Sequence, residues 1–533
     1  MRSCILAMLI CSLPAHGQSA CSNANFEPGA MSETSLKSEF KSAVMRLQVP
    51  GSTDSGTGYL IDSVNGYIIT AFHVVQTAQA NTPIEVVTPF SGLRGTKLIA
   101  KLIKSLATLQ QDGTLSGTDL ALLKLDNASL VKDIRPVDVG LRFPSPSSVL
   151  YAMGYPKLDE DEPNKTFTEQ SVELMASPDD GSIEVRQAIF GGNSGGPLID
   201  PSGSVIGTCR ESIGIGAIVS RYIPMSDAES LLDLLPLSAR MANLDDQVKT
   251  GHISEADLKD ILVKSSTTPT NVELYTWARH VMSNHDQYTA ASTRALLKCQ
   301  IKALMQRGLD DLVIELSTFG DPTIVADANI SVAEQEIERG RPLSAQKHVE
   351  AAQASYLAAN DQVGSARAAM VSTRVQLAMG SIAAADKQSS TVLANIDKLP
   401  LPDKAAALVT AANIDLSKGT PAAAIGKFTQ ASQFFVADGK PSRAADILVE
   451  SATASLKVNK PLDAAASLRN AISLYQGDNN KLGEAESVYK LGDVQSVLGN
   501  NTASKTSFTN YLTLAPDGIH APEVKELLKV TQF

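Results

Sequence analysis

Hydrophobic positions divide the chain into two halves with different periods. Short apolar runs bounded by turn residues fill the first half, at 59–61, 67–70, 84–87, 96–103, 120–125, 149–153, 183–185, 205–208 and 213–219. Gly56-Thr57-Gly58 leads into the first run, and Asn65-Gly66, a strong hairpin dipeptide, separates it from the second. Residues 37–50 read as a helix or strand leading into this domain. Many short strands at modest spacing, with almost no helical periodicity, predict an all-β sandwich or barrel. Behind Pro224 the pattern changes, and residues 229–241, 255–263, 273–282 and 293–307 carry apolar positions at helical spacing.

From about residue 325 a repeat sets in. Gly340, Gly380, Gly419, Asn459 and Gly499 stand 40, 39, 40 and 40 residues apart. Each lies behind one helix-like stretch and ahead of another, where Gly and Asn end helices. Ala345, Ala424 and Ala464 follow five residues after three of these marks, and the clearest repeats continue with Phe428 and Ala431 or Leu468 and Ala471. Small residues there let neighbouring helices approach closely. The second repeat (Ala385, Ser389, Val392) and the last (Ser504, Phe508, Tyr511) are degenerate. The period predicts an α-solenoid of about five helix pairs over 325–520, whose concave face binds peptides or proteins. An alanine-rich bundle with no partner is the alternative.

At 533 residues the chain is too long for one core. The patterns divide it into a β domain over 36–235, a helical connector over 236–324 and the repeats. Trp277, the single tryptophan, reads as a core residue of the connector. A net charge of −11 and the lack of any Lys/Arg block exclude a nucleic-acid binder. Arg2, the apolar run 5–13, Pro14 and the small residues Ala15 and Gly17 form the three parts of a secretory signal, cleaved after residue 17 or 20. The run is too short to span a bilayer, so no transmembrane segment is expected and the destination is the periplasm. Cys21 behind Ala20 raises lipid anchoring as an alternative, against which Gln18 stands where such signals carry Leu. Loss of the leader leaves Cys21, Cys209 and Cys299, which allow one bridge but no disulfide framework and no metal site. No cofactor is expected. The acidic residues within 157–180 read as a solvated loop.

Chemistry enters with Gly191-Gly192-Asn193-Ser194-Gly195-Gly196-Pro197-Leu198. A serine between glycines has an uncrowded hydroxyl and a backbone able to aim N–H groups at a substrate. It needs a base, and after the leader His73 is the first half's single histidine, the next being His252. The orienting acid is harder to pick, since 54–227 holds thirteen aspartates. The apolar surroundings of Asp119, in Thr118-Asp119-Leu120-Ala121-Leu122-Leu123-Lys124-Leu125, favour a buried one.

Gly66 to Val75 around His73, Thr118 to Leu125 around Asp119 and the Ser194 loop resemble, in that order, the three catalytic stretches of trypsin-like serine proteases, and more closely the HtrA/Deg branch. The resemblance covers roughly residues 40–235. It implies a double β-barrel in which Ser194 is nucleophile, His73 base and Asp119 the orienting acid, with the N–H groups of Gly192 and Ser194 as oxyanion hole. By the same analogy Ala188, Ile189 and Phe190 line the substrate pocket, which would then suit an apolar side chain. Phe190-Gly191 replaces the family's usual Asn-Pro, which leaves open the resting shape of the loop. The PDZ domain that commonly follows in this branch has no counterpart here. The repeats instead resemble tetratricopeptide (TPR) helix pairs, though their period is longer than 34. The expected protein is thus a serine endopeptidase acting on protein or peptide substrates, with a protein partner on its helices and oligomerisation left open. A catalytically silent adaptor or chaperone is the alternative.

Overall fold

The computed structural model describes residues 31, 33–52, 55–78, 82–88, 97–144, 149–156, 168–176, 181–186, 192–212, 219–263, 268–288, 291–315, 322–516, 518 and 520–530. They fall into two compact units, one formed by 235–319 and the other by 29–234 together with 320–533.

After a helix at Glu33–Phe40, six strands close a first barrel. These are β1 (Val44–Gln48), β2 (Ser55–Asp62), β3 (Tyr67–Thr70), β4 (Ile84–Val87), β5 (Lys97–Leu109) and β6 (Leu115–Leu125), in the order β1-β2-β3-β6-β5-β4. Asn65-Gly66 turns β2 into β3, with Gly66 at φ 75°. The Asp62 carboxylate accepts the N–H groups of Val64 and Asn65 at 2.9 Å each, which fixes the turn locally.

The second sheet comprises β7 (Asp138–Val139), β8 (Val149–Gly154), β9 (Thr168–Ala176), β10 (Ile183–Arg186), β11 (Pro197–Ile199), β12 (Ser204–Ser212) and β13 (Val219–Pro224). Its order is β11-β8-β9-β10-β13-β12-β7, and a further pairing of β11 with β12 closes it around Leu150, Val172, Ile183, Val185, Leu198 and Ile206. The architecture is a double β-barrel. Four strands depart from the hydrophobic pattern. The β5–β6 hairpin runs well beyond 103 because its outer part is held by backbone pairing while its side chains are largely exposed. β9 lies inside the stretch read as an acidic solvated loop. Its polar residues hide a strand that pairs with both β8 and β10, while 157–167 and 177–180 lie outside the described residues. β11, at three residues, is too short for any periodicity to show.

The unit 235–319 is helical (Ala239–Thr250, Glu255–Val263, Asn271–Ser283, Ala291–Gln306, Asp310–Glu315). Trp277 is fully buried and donates its indole N–H to Asp245 Oδ1 at 2.7 Å, an oxygen that also accepts the Tyr288 hydroxyl at 2.6 Å. Cys299 is disulfide-bonded, and Cys209 is the free cysteine among the described residues.

The repeats are helix pairs: Pro322–Glu338 with Pro342–Ala358, Gln362–Ala378 with Ile382–Leu393, Leu401–Ser417 with Pro421–Ala437, Pro441–Lys457 with Pro461–Gly477, and Lys481–Val497 with Asn501–Leu514; Ala521–Val530 follows. Each period of 40 is two helices of 17 residues and two three-residue turns, as at Pro441–Lys457, 458–460, Pro461–Gly477 and 478–480. The five sequence marks occupy the turn inside each pair, all with positive φ, and Asn360, Gly439 and Asn479 do the same between pairs. The small and aromatic residues that follow the marks, from Ala345 to Tyr511, are buried at the helix–helix contacts, including those of the degenerate repeats. Two tyrosines the pattern did not single out lock successive pairs. Tyr356 packs on Gly364 and donates to Asp327, and Tyr475 packs on Gly483 and donates to Asp446. Among the described residues no helix is long and apolar enough to cross a membrane.

The first helix pair is docked on the second barrel. Arg339 donates to Ser226 Oγ at 3.0 Å and lies over the Phe143 ring at 5.8 Å, and Arg142 donates to Ser331 Oγ at 3.2 Å. The Arg341 guanidinium sits where a Cβ on Gly181 would come within 2.0 Å. Burial raises the pKa of Asp227, opposed by the charges of Arg339 and Arg341 facing it.

Candidate active site

Strand β3 ends at Thr70, and one helical turn, Phe72–Val75, then presents His73. The register of β3 on β6 pairs Thr70 with Ala121, which brings Asp119 beside that turn. Both Asp119 oxygens are engaged by the one residue. Oδ1 accepts the His73 main-chain N–H at 2.8 Å, and Oδ2 lies 2.7 Å from Nδ1. A carboxylate facing Nδ1 accepts its hydrogen, so in the neutral tautomer this arrangement selects, the lone pair is on Nε2. The Asp119 side chain is 7% exposed and that of His73 30%, so the pair is anchored inside and open at Nε2.

The Ser194 loop belongs to the second barrel and is bent by glycines. Gly192 has φ 100° and Gly195 φ 83°. Gly196 N–H closes on Asn193 O at 2.8 Å, and Gly195 N–H and Cys209 O pair at 2.8 Å. A Cβ at Gly195 would stand 2.1 Å from Thr57 O, and one at Gly196 2.3 Å from Met153 O, so only glycine allows the loop to seat this deeply. A Cβ at Gly56 would fall 2.5 Å from Val74 Cγ1 and 3.1 Å from Ser194 O, so Gly56 lies between the Ser194 loop and the turn that carries His73. The Ser194 hydroxyl donates to Arg210 O at 3.5 Å and makes no hydrogen bond to His73. Among the described residues the N–H groups of Gly192 and Ser194 have no intramolecular acceptor, while their carbonyls do. Behind the loop, Cys209 is buried, and burial with the nearby Asp119 charge pushes its thiol pKa far up, so it stays a neutral thiol. Ala188, Ile189, Phe190 and Gly191 lie outside the described residues. No group of three or more His, Cys, Asp or Glu among the described residues is arranged to hold a metal ion.

Pattern reading passed over Thr57, Asn193 and Arg210. Thr57 was signalled only by its position between two glycines in a strand, where backbone meets backbone closely.

Two barrels with a histidine and its acid on one and a glycine-bounded serine on the other define the trypsin-like serine peptidase class. Residues 56–207 match the family model of the trypsin-like peptidase domain. Within that class, the probable periplasmic serine endoprotease DegP-like of Brucella suis biovar 1 (strain 1330) is 34% identical over 191 residues, and its counterpart in Brucella abortus (strain 2308) matches equally. The match spans 34% of this chain and 32% of those relatives, so the chain covers about a third of their length. A crystal structure of the serine endoprotease from Yersinia pestis aligns at 22% identity and TM-score 0.30, over 38% of this chain and 66% of that one. Residues 391–515 match the model of the soluble NSF attachment protein, SNAP. The chain thus carries a trypsin-like peptidase domain of HtrA/DegP-like type fused to helical repeats.

Proposed function

We propose that this protein is a periplasmic serine endopeptidase that cleaves protein substrates through an acyl-enzyme and uses its helical repeats to engage protein partners. The observation that carries the reading is the two-point hold of Asp119 on His73, opposite a serine loop whose Gly192 and Ser194 N–H groups have no acceptor among the described residues and can donate to a developing negative charge.

In the reaction, Ser194 Oγ turns from Arg210 O toward His73 Nε2, which takes its proton as Oγ bonds to the substrate carbonyl carbon. The carbonyl electron pair moves onto oxygen, where the two amides stabilise it. His73, now cationic and held by Asp119, returns the proton to the departing amine nitrogen as the C–N bond breaks. Water then repeats the sequence on the ester, releasing acid and free serine. The resemblance assigns Ala188, Ile189 and Phe190 to the pocket for the side chain preceding the scissile bond, and their lack of charge favours an uncharged residue there. Periplasmic residence rests on the leader-like N-terminus and on the relatives named above. The turned-away Ser194 hydroxyl fits an enzyme of low resting activity, and it is also the observation that favours the silent-adaptor reading.

A fluorophosphonate probe tests the proposal. It labels wild type at Ser194 and leaves Ser194→Ala untouched, while cleavage of unfolded casein falls by about 10⁶ in kcat for the variant. Wild type that neither labels nor cleaves would be an adaptor.

A further inference from the structure

Thr57 belongs to the barrel opposite the nucleophile and is assigned no role by the triad chemistry. It is fully buried and makes four polar contacts around the Ser194 loop. Its N–H donates to Ser194 O at 2.8 Å, its hydroxyl donates to Gly192 O at 2.8 Å, and its carbonyl accepts the Thr70 hydroxyl at 2.6 Å. The hydroxyl oxygen also accepts the Tyr155 N–H at 3.0 Å. The direction of the hydroxyl follows from its partners. An amide N–H can only donate and a carbonyl can only accept, so the single hydroxyl hydrogen points at Gly192 O.

The consequence reaches the oxyanion site. One residue of the first barrel holds the carbonyls on both sides of Asn193, at positions 192 and 194. These carbonyls belong to the 192–193 and 194–195 peptide groups, so their hold fixes the backbone on both sides of Asn193 and with it the direction of the Gly192 and Ser194 amides, which have no acceptor among the described residues. Gly192 is the joint at which this arrangement could fail, because at φ 100° it has no side chain to resist rotation of its carbonyl peptide. Asn193 adds little restraint from its own side chain, since its Oδ1 is buried without a partner. Resting on the hydrolase reading above, we infer that Thr57 is a positioning residue whose hydroxyl anchors the Gly192 carbonyl and so fixes the backbone that aims the Gly192 and Ser194 amides at the substrate oxygen. Without it, Gly192 O has no donor, and the backbone about Gly192 is free to turn and carry those amides off the place where negative charge must develop.

The test uses the full-length protein with Thr57→Val, which keeps the side-chain shape without the donor, and Thr57→Ser, which restores the donor. For Thr57→Val, kcat on a fluorogenic peptide and the fluorophosphonate labelling rate are expected to fall about 10- to 100-fold, less than the roughly 10²–10³ for deleting an oxyanion-hole donor outright because the amides themselves stay, with KM nearly unchanged. Thr57→Ser is expected within about threefold of wild type in kcat, close to the limit at which such a difference carries meaning as binding energy. Thr57→Val as active as wild type, or Thr57→Ser as impaired as Thr57→Val, overturns the assignment. Should Thr57→Val lack a cooperative melting transition, Thr57→Cys, a weak donor, takes its place, and wild-type activity in that variant equally overturns it. Wild type that itself fails to label sinks the hydrolase reading and this one with it, whereas labelled wild type with equally labelled Thr57→Val sinks this one alone.

Discussion

Glu338 ends the first helix of the repeats, half-buried among Arg374, Glu334, Arg142 and Arg443, and burial pushes its pKa from 4.5 to about 7 despite the three arginines. The folded state therefore holds this proton more tightly than the unfolded chain. Stability from the group is complete below pH 4.5, is lost progressively as pH rises, and is gone above about 7. The interval between 4.5 and about 7, at 1.36 kcal/mol per pH unit, sets an upper bound of about 3.4 kcal/mol. Solvent at the rim of a half-buried side chain reduces this to about 2 kcal/mol. Glu338→Gln mimics the protonated form, so it should leave stability at pH 5 nearly unchanged and raise it at pH 8 by about 2 kcal/mol, or about 4–8 °C in the melting temperature of a unit of this size. Melting curves of both proteins at pH 5 and pH 8, followed by circular dichroism at 222 nm, read this directly. Equal pH dependence in the two proteins, or a variant less stable at pH 8, would show that the arginines neutralise Glu338 and that the argument from burial is wrong.

Other substitutions separate packing from chemistry. Gly195→Ala should abolish probe labelling, because its Cβ would stand 2.1 Å from Thr57 O at a φ of 83°. Asp119→Asn should lower kcat by about 10⁴ with little effect on KM, since the ring would lose the acceptor that keeps its hydrogen on Nδ1. In the repeats, Gly483→Ala places a Cβ 2.4 Å from Tyr475 Cε1 and should cost about 1–3 kcal/mol in a urea melt. Gly426→Ala meets nothing within 4 Å on an exposed helix face and should instead stabilise by about 0.5–1 kcal/mol. The pair controls for propensity, and equal effects would refute the packing account.

Much of this was legible from residue order, and the reasons differ by element. An all-β first half and the solenoid followed from periodicity because their apolar positions are regular, the double barrel followed only from the resemblance of three stretches to trypsin-like proteases, and the positive-φ turns at Gly340, Gly380, Gly419, Asn459 and Gly499 left a mark at fixed spacing. His73 stood out by being alone, Ser194 by its glycines. β9 did not, because a strand whose polar residues alternate irregularly is held by ladders to β8 and β10 that no local pattern encodes. Thr57 was equally hidden. The two partners of its hydroxyl are 98 and 135 residues away, and a buried hydroxyl between two glycines looks no different in sequence from any turn. The docking arginines Arg339 and Arg341 were passed over for the same reason, since their partners Ser226, Asp227 and Gly181 lie in another fold.

The division of the site between barrels determines what the helices can influence. His73 and Asp119 both come from the first barrel, joined by the β3–β6 register, so their mutual geometry is internal to one sheet. Ser194, Arg210 and Cys209 come from the second barrel, and the residues that meet the repeats, Arg142, Phe143, Gly181, Ser226 and Asp227, all follow the first barrel in the chain. Gly181 adjoins the start of β10, the strand preceding the Ser194 loop in sequence. The contacts with the helices therefore lie on the side of the site that carries Ser194, not on the side that carries His73 and Asp119. Arg339→Ala removes the bond to Ser226 and one of two charges facing Asp227, so it should lower stability by about 1–3 kcal/mol. If the helices act on the site along this route, the variant also changes the fluorophosphonate labelling rate of Ser194 while the hydrogen-bonded Nδ1 proton of His73 keeps its chemical shift. A changed histidine signal with an unchanged labelling rate would place the influence on the other barrel and refute the division argued here.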